Sequence, residues 1–349
     1  MPYDGPMADG GTPTHHRVGD EAELGIDGLS EVSIVGSGGS STVYRARQAA
    51  LDRTVTVKVV HAAWNIETRE RFEQEREVMG RLSGQTTIVP IFETGMTNRG
   101  EPYLVMPFYP RGSLYRLLTD RGPLPWREAA FLVETLARTL ADCHREGIVH
   151  RDVKPGNVLL TRHLQPRLSD FGITLPVDES TSAATVAYTP SYSPPEAFGP
   201  GVATPAVDVY GLGATFWALL AGRAPHTDPD ETTDPETIVE RARSTPIGSP
   251  GPETPEPLVA LLRRAMDRDP ARRPADAAVF AAELRRAVRS SEADGGSAGP
   301  GRPLLAAAAR RRRPGPAGPR SGPLVTAVLV ALVAVGLALV VGTVLALLA

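Results

Sequence analysis

Apolar and polar positions divide most of the chain into a strand-rich part and a helix-rich part. Between about residues 28 and 110, short apolar runs favour strands over helices. Strands are predicted at residues 34–47, 53–60, 88–92 and 103–108. The charged segment 67–82 places Phe72, Met79 and Leu82 on one side, which predicts one amphipathic helix in this part.

After residue 113, apolar residues recur at helical spacing. Helices are predicted at residues 114–118, 126–146, 206–221, 257–268 and 275–289. A loop-rich stretch, residues 147–200, holds most of the polar motifs. This order predicts an α+β protein in which a small β-rich lobe precedes a larger helical lobe.

Both ends of the chain differ in composition from the middle. Residues 1–26 have no apolar core that could serve as a signal peptide, and we expect a disordered leader there. Residues 290–323 are rich in Gly, Ser, Pro and Arg, which indicates a flexible linker. Residues 324–349 carry no charge and are almost entirely Val, Leu and Ala. As a helix this last segment would be about 39 Å long and could cross a hydrocarbon core of roughly 30 Å, so we expect one transmembrane helix preceded by a juxtamembrane linker.

The charges that flank the apolar segment indicate its orientation. Five arginines precede it and no charged residue follows it. They are Arg310, Arg311, Arg312, Arg313 and Arg320. The positive-inside rule then places residues 1–323 in the cytoplasm. We expect a single-pass protein of the cell membrane with essentially no extracellular domain.

Composition and charge exclude two classes of function. The formal net charge of the 349 residues is -3, which gives no support for bulk nucleic-acid binding. The single cysteine, Cys143, excludes an intrachain disulfide framework and suits a reducing compartment. Lysine is almost absent, since only Lys58 and Lys154 occur. We therefore expect both positions to require a compact ammonium group rather than a planar guanidinium.

The first candidate for chemistry is a glycine-rich turn at residues 36–43, GSGGSSTV. Glycines in such a turn let backbone N–H groups approach phosphate oxygens, although Gly/Ser runs are often ordinary turns. The following residues are strand-like, which argues against a Rossmann dinucleotide site. Lys58 lies on the next predicted strand and could direct an ammonium group at the same phosphates.

The stronger signal is the pair of motifs HRDVKPGN at residues 150–157 and SDFG at 169–172. With them the chain resembles the eukaryotic-like (Hanks-type) serine/threonine protein kinases of bacteria, from about residue 28 to 289, and its composition is like that of actinobacterial members. The resemblance implies a two-lobed protein kinase fold at residues 27–289. Its N-lobe would cover about 27–108 and its C-lobe about 109–289.

The resemblance also assigns site residues. Asp152 would orient the substrate hydroxyl or accept its proton, and Lys154 would stabilise charge on the transferred phosphoryl group. Lys58 would contact the ATP phosphates and pair with Glu75 of the predicted helix. Asn157 and Asp170 would hold Mg²⁺ or Mn²⁺. ATP itself would lie against Gly36, Ser37, Gly38, Gly39, Val43, Lys58, Met106, Pro107, Tyr109 and Leu159.

Further matches concern support and regulation. We expect Glu196 to pair with Arg273, and Asp208 to brace the catalytic loop. Arg151 precedes the catalytic aspartate, which is typical of kinases that are switched by activation-loop phosphorylation. Ser180, Thr181, Ser182 and Thr185 are candidates for that modification, and we favour Thr181 and Thr185.

The chain departs from the family pattern at several positions, which are Ser41, Thr56, Gln85, Pro107 and Tyr188. None of these changes removes a catalytic group. The leading hypothesis is an active kinase that uses ATP and a divalent cation, acts on Ser and Thr residues of proteins, and forms a possible homodimer through its kinase domain. The alternatives are a pseudokinase that binds ATP without transfer and, less favoured, a small-molecule kinase of related fold.

Overall fold

The computed structural model describes residues 24–38, 41–61, 80–82, 84–171, 190–198, 204–228 and 233–294. Within these residues the N-terminal part forms a five-stranded antiparallel sheet with the order β1-β2-β3-β5-β4. The strands are β1 (Leu29–Ser37), β2 (Ser41–Gln48), β3 (Arg53–Val60), β4 (Glu93–Met96) and β5 (Pro102–Pro107).

The two faces of this sheet carry different residues. One face packs a core that includes Ala46, Val55, Val57 and Val105, with Leu24 placed over it. Side chains alternate along a strand, so Lys58 projects to the opposite face. There it lies between Val43 and Leu104, its partners on the two neighbouring strands. We call this opposite face the cleft face.

The C-terminal part is helical and also contains a two-stranded sheet of β6 (Val158–Leu160) and β7 (Pro166–Leu168). Its helices are α1 (Leu114–Arg121), α2 (Trp126–Arg145), α3 (Pro205–Ala221), α4 (Pro235–Ser244), α5 (Glu256–Ala265) and α6 (Ala277–Asp294). Helix α3 is buried at every position from Ala206 to Leu220, which makes it the central helix of this lobe. A helix that is buried on all sides is a core helix, and the other elements pack around it.

One predicted strand, residues 88–92, is wrong. Ile88 instead forms a parallel bridge with Leu168 of β7, and the Val89 N–H donates to the Leu168 carbonyl at 2.9 Å. The strand of this region begins at Glu93. An apolar run does not reveal its partner, and here the partner lies in the helical lobe.

Helix α4 was not predicted from the sequence. Asp234 caps its first turn by accepting a hydrogen bond from the Thr237 N–H at 2.9 Å, and Pro235 occupies its first position. Its buried residues are Ile238 and Ala242, which are spaced four apart. The capping signal was present, but a helix with two buried positions in ten residues has a weak periodic pattern.

The boundaries of the folded part also differ from those predicted. Leu24 is buried in the N-terminal core, and the Gly25 carbonyl accepts a hydrogen bond from Asn98 N–H at 3.2 Å, so the predicted leader at 1–26 extends too far. Helix α6 continues to Asp294, so the predicted linker begins too early at residue 290. The described residues contain no helix that is both long and apolar enough to cross a membrane, and the predicted span at 324–349 lies outside them.

Helix α3 and the predicted catalytic loop, residues 150–157, meet at a glycine. A Cβ added at Gly211 of α3 would lie 2.8 Å from the Cβ of Val153 and 2.9 Å from its carbonyl oxygen. Val153 follows the predicted catalytic aspartate. Only a residue without a side chain allows α3 to approach the catalytic loop this closely.

We therefore predict that Gly211→Ala lowers the free energy of unfolding by about 1–3 kcal/mol, although alanine favours helix formation. Thermal unfolding of the purified full-length chain measures the change. Gly248→Ala is the matched control, because nothing lies within 4 Å of the Cβ it adds. Equal stability of the two variants would contradict the proposed close contact.

Candidate active site

The catalytic loop is held to the core by the buried carboxylate of Asp208. Its two oxygens accept hydrogen bonds from the backbone N–H groups of His150, at 2.8 Å, and Arg151, at 2.7 Å. Arg151 has a φ of 71°, in the left-handed region. The predicted bracing role of Asp208 is confirmed. Its carboxylate fixes the backbone of the two residues that precede Asp152.

His144 contributes to the same support and was missed by the sequence reasoning. Its Nε2 lies 2.8 Å from Asp208 Oδ2, while the Ala277 N–H donates to its Nδ1 at 3.4 Å. These partners assign the ring proton to Nε2. The side chain is 5% exposed and links the start of α6 to the catalytic loop through Asp208. A polar residue beside the buried Cys143 in the last turn of α2 was the available signal.

His150 is occupied on both ring nitrogens by the backbone. Its Nδ1 accepts from the Asp152 N–H at 3.2 Å, and its Nε2 lies 2.9 Å from the Ser169 carbonyl. Its ring packs against Phe171, with centroids 4.7 Å apart. These contacts give His150 a structural role, since neither nitrogen is left to exchange a proton with a substrate.

Three predicted site residues converge in the catalytic loop. Asp152 Oδ2 lies 2.8 Å from Lys154 Nζ and also accepts a hydrogen bond of 2.8 Å from the Asn157 amide. The same amide nitrogen donates to the Asp152 carbonyl at 2.8 Å. The Asn157 nitrogen is therefore directed at Asp152, and its amide oxygen is the atom that can face a cation.

The sheet supplies the opposite side of the site through Lys58. Its Nζ lies 2.5 Å from Asp170 Oδ1, and the two residues belong to different lobes. Burial alone would raise the pKa of the Asp170 carboxyl. The ammonium of Lys58, with smaller contributions from His150 and Lys154, outweighs burial and holds that pKa below its usual range. Asp170 is thus kept ionised, which suits a metal ligand.

The donor set fits a hard divalent cation. Asp170 offers a carboxylate and Asn157 an amide oxygen, which are ligands that Mg²⁺ prefers. No group of three or more His, Cys, Asp or Glu side chains in the described ranges is arranged to hold a metal. Two protein oxygens are enough where a nucleotide supplies phosphate oxygens, because Mg²⁺ is usually bound in this way.

An apolar cluster lies at the end of β5. Met106 is buried with Leu104 and Val89, and the partly buried Tyr109 and Leu159 pack against them. Burial raises the pKa of the Tyr109 hydroxyl, an effect that Arg167 partly offsets. The Tyr109 carbonyl accepts a hydrogen bond from the Gly112 N–H at 2.9 Å, which fixes the backbone next to this cluster.

The remaining nucleotide-binding predictions lie along the ends of β1 and β2. Gly36 pairs with Val43, and the Gly38 N–H donates to the Ser41 carbonyl at 2.9 Å, which closes the turn. Val35, before this turn, was not predicted. Its side chain is 57% exposed, and an exposed apolar residue beside such a turn suits a surface that a ligand covers.

Some predicted residues lie outside the described part of the chain. These are Gly39, Glu75, Thr181 and Thr185. The Lys58–Glu75 pair therefore stays a prediction. Pro107 is half-buried at the end of β5 and pairs with Val55 of β3.

The predicted pair of Glu196 and Arg273 is confirmed. The guanidinium donates to both carboxylate oxygens, at 2.6 and 2.8 Å. The Arg273 side chain is fully buried, lies 5.1 Å from the ring centroid of Tyr210, and donates to the Ala206 carbonyl at 3.1 Å. This pair joins residues 190–198 to α3 and to the segment that precedes α6.

A sheet lobe and a helical lobe that bring a lysine–aspartate pair opposite an Asp–Lys–Asn cluster define a phosphotransferase of the protein kinase type. The sequence matches the family described as "Protein kinase domain" over residues 29–284, and the chain belongs to this family.

The chain is similar in sequence to several bacterial serine/threonine-protein kinases. It is 40% identical over 273 residues to serine/threonine-protein kinase PknK of Mycobacterium tuberculosis H37Rv, an alignment that covers 77% of this chain and 24% of PknK. It is 35% identical over 258 residues to PknL of Mycobacterium bovis, covering 72% of this chain and 63% of PknL. The probable serine/threonine-protein kinase CE0033 of Corynebacterium efficiens is 32% identical over 286 residues, covering 78% and 42%. The chain thus spans less than two thirds of the length of each of these relatives.

We predict that Glu196→Ala lowers the free energy of unfolding by about 3 kcal/mol, because it leaves the buried Arg273 guanidinium without its carboxylate. Glu256→Ala is the matched control. Its partner Arg263 is 2.9 Å away, but both side chains are more than half exposed, so we expect a change below about 0.5 kcal/mol. Thermal unfolding of both variants measures the difference, and similar losses would contradict the structural role of the buried pair.

Proposed function

We propose that this chain is an active serine/threonine protein kinase that transfers the γ-phosphate of ATP to Ser and Thr hydroxyl groups of proteins. The observation that carries the proposal is the cluster in which Asp152 lies 2.8 Å from both Lys154 and Asn157. The kinase names of relatives such as PknK and PknL support it.

The cluster gives each residue a distinct task. Asp152 has one oxygen engaged by Lys154 and Asn157, so its other oxygen can orient an incoming hydroxyl and take its proton. Lys154 brings a positive charge beside that carboxylate, where negative charge develops during phosphoryl transfer. Because little covalent work is needed, positioning and charge neutralisation supply most of the rate.

The sheet and the other lobe hold the nucleotide. Lys58 offers its ammonium on the cleft face, the glycine-rich turn would offer backbone N–H groups, and the apolar cluster around Met106 and Leu159 would pack against a purine ring. Asp170 and Asn157 would hold Mg²⁺ or Mn²⁺. When bound, such a cation neutralises phosphate charge.

Activation by phosphorylation is the second part of the proposal. Arg151 has an exposed side chain, and its backbone is held by Asp208. A phosphate on Thr181 or Thr185 would pair with this arginine and order the segment that carries it. Modification by another copy of the chain fits the same chemistry, and a homodimer through the kinase domain stays a prediction.

Membrane attachment is the third part. The uncharged segment 324–349 and the arginines that precede it support a single span with the kinase domain in the cytoplasm. This arrangement would confine phosphorylation to substrates at the inner surface of the cell membrane.

A pseudokinase is the competing hypothesis. Pseudokinases commonly lack a metal, base or lysine position, whereas Lys58, Asp152, Asn157 and Asp170 are all present. The retained lysines weigh further against decay in a chain whose other basic residues, apart from histidines, are all arginines. Transfer activity separates the two hypotheses.

We predict that the full-length chain in detergent phosphorylates itself and a basic protein substrate with labelled ATP and Mg²⁺ or Mn²⁺. Asp152→Asn and Lys58→Met should each lower the rate at least about 100-fold, because a positioned base alone contributes that much. Mass spectrometry of the product should find phosphate on Thr181 and Thr185.

Asp142→Asn is the matched control for Asp152→Asn. It makes the same chemical change on the surface of α2, where Asp142 pairs with Arg145, and should leave the rate unchanged. If the unmodified chain transfers no more phosphate than Asp152→Asn, the kinase proposal fails. Retained ATP binding would then favour the pseudokinase.

We also predict that the full-length chain sediments with membranes after high-salt washing and is released only by detergent. Integral spans resist salt, whereas electrostatic attachment does not. A chain shortened to end before residue 324 is the control and should move to the soluble fraction. A full-length chain that is extracted by salt would contradict the proposed span.

A further inference from the structure

A network of four hydrogen-bonded polar side chains lies next to the glycine-rich turn of the N-terminal sheet. Ser37 Oγ lies 3.2 Å from Thr42 Oγ1, which lies 2.7 Å from His61 Nε2. His61 Nδ1 in turn lies 2.9 Å from Glu101 Oε1. Ser37 ends β1 and Thr42 lies in β2, whereas His61 follows β3 and Glu101 precedes β5, so the contacts tie the turn to the residue before β5.

One member of this network, Thr42, lies on the face of the sheet that packs the apolar core. Along β2, Thr42, Tyr44 and Ala46 share the face that packs the apolar core, opposite the cleft face with Val43. Tyr44 and Ala46 pair with the buried valines of β3. Thr42 is 6% exposed but uses its hydroxyl for a polar network. Thr42 thus places a hydrogen-bonding group on this face next to the turn, opposite the buried Val59 of β3.

One assignment of donors and acceptors satisfies every contact of the network. If His61 donates from Nδ1 to the Glu101 carboxylate, its Nε2 is an acceptor for the Thr42 hydroxyl proton. The Thr42 oxygen then keeps lone pairs that accept from Ser37. Each group therefore holds the next one, from the carboxylate of Glu101 to Ser37 in the turn itself. Hydrogen bonds in such a series polarise and strengthen one another.

This network acts where the turn would meet phosphates. The Gly38 N–H donates to the Ser41 carbonyl at 2.9 Å, so the turn closes between Ser37 and Thr42. Backbone N–H groups bind phosphate well only when they are already aligned, because ordering a loose loop during binding reduces affinity. The network joins Ser37 and Thr42, on the two flanks of the turn, to Glu101, which would lower this ordering cost.

We propose that Thr42, His61 and Glu101 are positioning residues that hold the glycine-rich turn over the phosphates of a nucleotide. The proposal rests on the nucleotide site of the proposed function, and it assigns to these residues a selective effect. They act on affinity for the phosphate groups and not on affinity for the adenosine part. They do not touch the groups that carry out transfer.

The test compares Thr42→Val with Thr42→Ser in the full-length chain. Valine has the shape of threonine without its hydroxyl, and serine keeps the hydroxyl. We expect Thr42→Val to raise the Kd of ATP and ADP, measured with Mg²⁺ by calorimetry, about fivefold, the effect of one lost hydrogen bond. The Kd of adenosine should not change. Thr42→Ser should bind ATP like the unmodified chain.

Steady-state kinetics provide a second readout. Thr42→Val should raise the KM for ATP while kcat stays the same, because Asp152 and Lys154 are not affected. Glu101→Ala should weaken ATP binding in the unmodified background but have no further effect when Thr42 is already valine. Such non-additivity indicates that the two residues act through the same network.

Tyr103→Phe is the control for general damage to the lobe. It removes a hydrogen bond of 3.1 Å between the Tyr103 hydroxyl and Glu93 elsewhere in the same sheet and should leave ATP affinity unchanged. If Thr42→Val weakens adenosine and ATP equally, or binds ATP normally, the positioning role is wrong. Lys58→Met tests the nucleotide site separately. Undiminished ATP affinity in that variant would count against the proposed function rather than against the network.

Discussion

The buried carboxylate of Asp208 is the interaction on which the active-site geometry depends. It lies in the central helix α3 and is satisfied by the backbone of His150 and Arg151 and by the ring of His144. A buried charge is stable only where every lone pair has a good partner, so this arrangement tolerates little displacement. It holds Arg151 in a left-handed conformation, and that conformation aims Asp152 and Lys154 into the cleft.

The catalytic cluster is therefore a property of the core and not of the loop alone. Gly211, one turn from Asp208, lets the loop lie against α3, and Arg273 attaches the segment around Glu196 to the same helix. Three chemically different contacts thus join one rigid helix to the parts that would meet substrate. From the sheet, Lys58 adds a contact across the cleft to Asp170, which completes the set.

Much of this site could be predicted from the sequence because its residues occur in short, dense motifs. Residues 150–157 and Asp170 are placed by their motifs, and Glu196 and Arg273 were paired correctly across a long separation. The parts that were missed depend on tertiary partners. Residues 88–92 look like a strand of the small lobe but pair with β7, and His144 has no motif beyond a position in a helix. Helix α4 has so few buried residues that its pattern is faint, and Leu24 shows its role only once the sheet it covers is formed.

The single cysteine has a practical consequence for studying this protein. Burial in α2, with further contributions from Asp208 and Asp142, raises the pKa of the Cys143 thiol to about 12. At neutral pH it is therefore protonated as well as shielded, and thiolates are the species that react with maleimides and similar reagents. The unmodified protein therefore has no reactive thiol that would compete for a label. A cysteine introduced at an exposed position in each lobe, for example at Leu51 and Tyr115, would accept a spectroscopic label without competition, and the distance between two such labels would follow the opening of the cleft directly.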